Sequence, residues 1–505
     1  MASSIPLPRS YLIYGVCLPL AVLIGYILAQ PMDSGSIALV LLVLAALSVP
    51  VFLRWHHPML IFSWNSVCSL VLLPISLCMA LTLISIFVSI LNRAIGRRVS
   101  FFEAPGVAKS LICLGVVVVI TAGMNGGIGF AALGSNMVGG KRYFSVCAGI
   151  LCYFALACQR ISLGKAPFYI GLFWLSALTM LLGYLGALAG PPFDFLVKLF
   201  PVESELMGDR AYGTDVLAPQ EGLFRLGSIG MMGTALAYYL LSRHGIRGVI
   251  NVQRPWRLLF FGLALVGVVA GGFRSSLVCV LLTFGCMFFW EGLFQIRYLM
   301  MLSFAIIVIA CAILPFTSKL PMAMQRTLSM LPVEVDPMVR NSADASTEWR
   351  LLMWKELLPQ IPKYLFKGKG YAIDPHEFYQ ADLARWSGTG VTAEGAIIAG
   401  DYHSGPLSVI IPFGIYGVAA FTWFLCAAVR VLYRNYLYGD PALKNFNTFL
   451  LAFFLVQVFS YIFIFGSFYS GLILFCGSVG FSVSLNGVAT EPDLVPESFP
   501  VEEEF

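Results

Sequence analysis

YLMMLSFAIIVIACAILP, residues 298–315, holds no charged and no amide side chain in eighteen consecutive positions. Wound as an α-helix at about 1.5 Å per residue, it nearly spans the roughly 30 Å hydrocarbon core of a bilayer. Comparable stretches recur at 11–30, 35–53, 58–91, 107–124, 143–159, 166–189, 224–242, 257–273, 275–290, 405–432, 446–464 and 467–486. None alternates apolar and polar positions, as a β-barrel strand would. The sequence therefore reads as an all-α integral membrane protein, a polytopic bundle of about 12–14 transmembrane helices.

Composition agrees. Hydrophobic residues fill 59% of the 505 positions and charged residues 11%, a balance that no single soluble core could keep in solution. The net charge of +5 sits mainly in short loops, which excludes a nucleic-acid surface. All twelve cysteines, from Cys17 to Cys476, lie in apolar runs and read as packing residues. Only Arg9 precedes the first apolar stretch, with no small-residue cleavage site before a soluble domain, so that stretch reads as a retained span.

Basic short loops stay cytoplasmic and set the orientation. Four agree: Arg93, Arg97, Arg98 and Lys109; Arg160 and Lys165; Arg243, Arg247, Arg254 and Arg257; Arg430, Arg434 and Lys444. The organisation that follows is N-terminal helices in 1–189, an outward loop at 190–223, central helices in 224–315, a large outward loop at 316–404, C-terminal helices in 405–486, and an acidic tail at 487–505 that suits a disordered cytoplasmic end. Residues 58–91 are too long for one crossing, and Arg54 also wants the inside; Pro74 is the residue that divides this run.

A polar loop this long is uncommon unless functional. Within it, Ser346 or Thr347 caps an expected helix stopped near Pro359, with Trp349, Leu352, Met353 and Leu357 as its apolar stripe. Arg350 and Trp354, four apart, are neighbours on its surface, suiting either an anion or sugar contact or a plain interfacial helix.

Three features together resemble the O-antigen ligase and O-antigen polymerase superfamily of bacterial membrane glycosyltransferases. The first is Trp349-Arg350-Leu351-Leu352-Met353-Trp354 followed by Lys367-Gly368-Lys369-Gly370-Tyr371. The second is His403-Ser404-Gly405-Pro406-Leu407 leading into Gly414-Ile415-Tyr416-Gly417. The third is a pair of arginines at outer ends of spans, in Phe224-Arg225-Leu226-Gly227 and Gly271-Gly272-Phe273-Arg274-Ser275-Ser276. The chain departs from the common pattern in Ser404, where Asn often follows the histidine, and in having no Asn-Pro-like pair after Arg225.

The resemblance implies a GT-C-like bundle with a partly helical periplasmic loop, in the bacterial cytoplasmic (inner) membrane, its active site facing the periplasm. It implies inverting transfer of a glycan from a polyprenyl (undecaprenyl) diphosphate to a hydroxyl on a glycan, a lipid-A core or another acceptor. Ligase and polymerase stay equally open.

In such a reaction the main task is to neutralise diphosphate charge. Arginine suits it, with a fixed guanidinium that grips two phosphate oxygens. Arg225, Arg274 and Arg350 are the candidates, although a snorkelling arginine at a helix end is the plain alternative. His403 is the candidate base for the acceptor hydroxyl, an unperturbed imidazole titrating near ~6.5; His376 is its rival. Asp401, Trp354 and Tyr371 are candidate supports. The acidic pairs Glu203-x-Glu205 and Glu334-x-Asp336 lack further ligands nearby, so the expected reaction uses no metal and no cofactor. No P-loop or dinucleotide turn points to nucleotide sugars as direct donors. The competing class is a multispan transporter or flippase, which usually carries ionisable residues at mid-membrane.

Overall fold

Proline opens several of the long helices. Pro105, Pro337 and Pro406 each occupy one of the first two positions of a helix, where a missing N–H breaks no helical hydrogen bond. The computed structural model describes residues 34–70, 75–96, 99–126, 140–201, 226–372 and 402–489, together with positions 19, 21, 22, 25 and 400. These are helical apart from turns and connections; Ser69 and Ser76 form an isolated bridge. By contact density the chain divides into residues 1–56 and 57–505.

Seven helical segments among the described residues are long and apolar enough to cross a membrane: Leu77–Ala94, Pro105–Asn125, Leu163–Ala189, Ile296–Lys319, Gly405–Tyr438, Pro441–Phe463 and Phe468–Asn486. Trp256–Ala270 and Arg274–Trp290 are apolar but shorter. The expected crossings at 143–159 and 224–242 are the helices Gly140–Ala157 and Gly227–Val249, which carry basic residues at one end. The chain is an all-α polytopic membrane protein.

Two boundaries differ from the sequence expectation. Residues 35–53 and the start of the next run form one helix, Ser34–Ser63, because nothing between 54 and 57 breaks it. The run 58–91 is then interrupted: a new helix, Leu77–Ala94, starts where the Ser76 hydroxyl accepts from the Met79 N–H. Pro74 lies outside the described residues.

Small residues bring the helices of 57–505 together. Gly230 and Gly233 of Gly227–Val249 face Gly267 and Gly271, so closely that a Cβ on Gly233 would stand 2.6 Å from the Ala264 carbonyl oxygen. Such backbone approach is how helices associate where lipid removes the hydrophobic drive. Trp174 fills a neighbouring gap, edge-on to Tyr238, Phe449 and Phe453 at 5.3–5.5 Å. Ile296–Ile313 has no buried residue, as suits a helix turned to lipid.

An amide cluster fastens the last three helices. Asn435 donates to the Ser482 hydroxyl (3.1 Å) and accepts from the Ala489 N–H (3.1 Å). Asn447 and Asn486 exchange two hydrogen bonds, of 2.8 and 2.9 Å. Replacing Asn435 by Ala strands buried donors and acceptors, so thermal unfolding in detergent should show a loss of about 1–3 kcal/mol. A midpoint unchanged from wild type would refute this role.

The Gly405–Tyr438 helix is broken, and the break positions the site. Pro412 lies inside it and Gly414 takes φ 63°. The Ile415 N–H turns from its helical partner, Ile411, to the Leu365 carbonyl (2.7 Å). In exchange, the Ile411 carbonyl accepts from the Lys369 N–H (2.8 Å) and the Pro412 carbonyl from the Gly370 N–H (2.9 Å). The Gly-x-Gly turn and the glycine-containing helix, two separate motifs in sequence, are thus two halves of one interlock.

The polar segment 316–404 is partly helical. Its main helix is Pro337–Leu357, capped by Asp336, whose carboxylate accepts from the Met338 N–H (2.8 Å). The expected cap at Ser346 or Thr347 is therefore corrected: the Asp-Pro pair starts the helix earlier. The buried face runs through Val339, Ala343, Met353 and Leu357, while Leu352 is 62% exposed and does not belong to it.

Candidate functional site

His403 is the one non-glycine residue with positive φ (48°) among the described residues. Left-handed backbone costs an L-residue about 1–2 kcal/mol and persists where surroundings hold it. Here two rings do so, Trp349 edge-on at 5.0 Å and Phe465 at 5.1 Å between centroids. Phe465 reaches this position because Gly405 and Gly466 touch backbone to backbone. Just before His403, the Tyr402 carbonyl accepts from the indole N–H of Trp354 (3.1 Å). The expected bracing partner of Arg350 thus holds the chain leading to the histidine. Tyr402, Met353, Leu357, Leu407 and Ile411 form the apolar core beneath.

Arg274 opens its helix and donates from Nη2 to the Ala343 carbonyl (2.9 Å). Ala343 and Trp349 are six residues apart on one helix, about 9 Å along its axis. Arg274 and His403 therefore contact the same helix at positions six residues apart, on faces about 120° apart round its axis. Arg350 follows Trp349 and shares the face of Ala343, two turns on. The hydroxyl of Thr327 donates to the Val269 carbonyl (2.8 Å) and ties this part of the loop to the membrane helices.

A second group meets the first at Gly400 and Tyr402. The Arg142 guanidinium lies over the rings of Tyr469 (5.0 Å) and Tyr371 (5.8 Å), and a Cβ on Gly400 would stand 2.8 Å from its Nη1. Tyr371 is buried, and its N–H donates to the Tyr143 hydroxyl (2.7 Å). Burial pushes the Tyr371 hydroxyl well up, against the pull of Arg142, so it stays a proton donor; its oxygen and the Trp349 indole N–H are buried without a partner. Burial also raises the Tyr402 hydroxyl, again opposed by Arg142.

Arg142 was not among the residues singled out from sequence. Its signal is the Lys141–Arg142 pair at the end of a span that the basic loops turn outward, where the positive-inside rule disfavours cations. Arg225, Asp401, His376 and the pair Glu203 and Glu205 lie outside the described residues. Asp336 serves as a helix cap.

Residues 258–422 match the family model O-Antigen ligase. The match supports the O-antigen ligase and polymerase superfamily, and the matched segment contains Arg274, Arg350, Trp354, Tyr371 and His403. Arg142 and Arg225 stand outside it. No curated protein matches the chain.

Proposed function

We propose that the chain is an inverting glycosyltransferase of the ligase or polymerase kind, working at the periplasmic face of a bacterial inner membrane. Its donor is a glycan on polyprenyl diphosphate, and its acceptor a hydroxyl of a glycan, a lipid-A core or a similar molecule. What supports this reading is that His403 packs against Trp349 and Arg274 bonds to Ala343 of one loop helix, all within the segment that matches O-Antigen ligase, while Arg142 lies beside Gly400 and Tyr402.

In the reaction, His403 takes the proton of the acceptor hydroxyl as its oxygen attacks the anomeric carbon. The bond from that carbon to the phosphate oxygen breaks, and the polyprenyl diphosphate leaves with the electron pair. Arg274, Arg142, Arg350 and Arg225 neutralise its charge through paired N–H donors, with no metal required. The proton on His403 then passes to solvent or to the departing diphosphate.

The test is transfer by purified protein from a polyprenyl diphosphate glycan to a hydroxyl acceptor, with and without chelator. Removal of one charge-assisted contact is expected to slow transfer by about 10–100-fold in Arg274→Ala and in Arg142→Ala. Lysine at 274 should restore only part, since it lacks the planar fork. Loss of activity with chelator alone would overturn the metal-free mechanism. Movement of the lipid-linked glycan across a bilayer with no new glycosidic bond would overturn the enzyme reading in favour of a flippase.

A further inference from the structure

At the end of the Gly227–Val249 and Trp256–Ala270 helices away from Arg274, four basic side chains gather: Arg243, His244, Arg254 and Arg257. Arg257 is 7% exposed, yet it is a full cation at any physiological pH. Its Nη1 donates to the Gly248 carbonyl (3.1 Å), and its guanidinium sits 5.3 Å from the centre of the Trp256 ring. Its Nε is buried with no partner. A buried guanidinium donor without an acceptor is rare in a finished structure, because it forgoes both water and protein.

The surroundings add positive charge instead of removing it. Arg257, Arg243 and Arg254 all stand close enough to act on the His244 imidazole. Among the described residues no carboxylate pairs with Arg243, Arg254 or Arg257. The nearby Glu291 is already taken: its carboxylate accepts from the N–H groups of Ile246 (2.8 Å) and Arg247 (3.2 Å), at the break where Gly245 takes φ 63°.

We infer that this cluster is a binding site for a phosphate oxyanion, supplied by the headgroup of an anionic phospholipid. Leu259, Leu263 and Val266, at helical spacing and all more than half exposed, form an apolar stripe on the face of Trp256–Ala270 opposite Arg257, so an acyl chain on that stripe would bring its headgroup round the Trp256 end of the helix to the cluster. Trp256 marks the interface between the two. On the orientation set by the basic loops this end faces the cytoplasm, so the lipid belongs to the inner leaflet. The site is separate from the one proposed for glycosyl transfer and needs no transfer to be detected.

The experiment is native mass spectrometry and thermal unfolding of the detergent-solubilised full chain with phosphatidylglycerol, phosphatidylcholine or inorganic phosphate. Phosphatidylglycerol is expected to be retained as one tight copy and to raise the unfolding midpoint, with phosphatidylcholine inert. Each charge removed, in Arg257→Gln or Arg254→Gln, should weaken that lipid about five-fold. Arg254 is exposed, so its variant keeps the test alive if the Arg257 variant fails to fold. Equal stabilisation by inorganic phosphate would overturn the lipid assignment in favour of a free anion. Equal retention of both lipids, or retention unchanged in the Arg254 variant, would overturn the site.

Discussion

Asparagine at position 403 is expected to lower glycosyl transfer by about 10²–10⁴-fold, the usual contribution of a positioned general base. Asparagine is the informative choice because it tolerates the left-handed backbone that His403 adopts at φ 48°, so the turn between Tyr402 and Gly405 keeps its shape. What is removed is the group that accepts a proton. Donor binding, measured with a non-reacting lipid diphosphate, should change little, since that contact belongs to the arginines. The loss should appear in kcat. A variant that binds donor normally and transfers within a few-fold of wild type would remove His403 from the chemistry and leave the acceptor proton without a base in this reading.

The second large effect is structural. Alanine at Gly368 would set its Cβ 2.3 Å from the Pro412 carbonyl oxygen, and alanine at Gly414 would stand 2.5 Å from that of Leu365. Both glycines hold positive φ, 70° and 63°, so the added carbon meets an unfavourable backbone region and another backbone at once. The first term alone costs about 1–2 kcal/mol. Together they should exceed about 3 kcal/mol and part the turn at 368–370 from the broken helix. Thermal unfolding in detergent and protease sensitivity of the 316–404 segment report this directly. Gly262→Ala is the control, having ordinary φ and nothing within 4 Å of the added carbon; it should be neutral or slightly stabilising. Equal behaviour of Gly262→Ala and Gly414→Ala would show that the interlock does not hold the loop.

The fold class was legible because its signal is local. Eighteen consecutive residues without a charge or an amide need no knowledge of the rest of the chain, and 298–315 duly lie within the Ile296–Lys319 segment, whose helix Ile296–Ile313 has no buried residue. The start of the loop helix was less legible, since Ser346 and Thr347 satisfy the same capping rule as Asp336, and only the buried face through Val339 and Ala343 decides between them. The pairing of Lys369 and Gly370 with Ile411 and Pro412 was out of reach, because backbone exchange between distant segments leaves no residue pattern beyond the glycines that permit it. Arg142 escaped for a related reason. Its meaning comes from Tyr371, Gly400 and Tyr469, all far from it in sequence, and a basic pair at the mouth of a span looks alike whether it anchors a helix or faces a substrate.

The exchange of hydrogen bonds at the broken helix also sets a timetable for biogenesis. Ile411 and Pro412 surrender helical donors and rely on amides from a segment translated before them. An unmet carbonyl in hydrocarbon costs several kcal/mol, so the span from Gly405 cannot settle in the bilayer on its own merits. The ribosome has already delivered Lys369 and Gly370 when that span emerges, and in the proposed orientation they belong on the outer side of the membrane. In that orientation, translocation of the loop precedes the full seating of this span, and a chain stalled midway would expose its defect to quality-control proteases there.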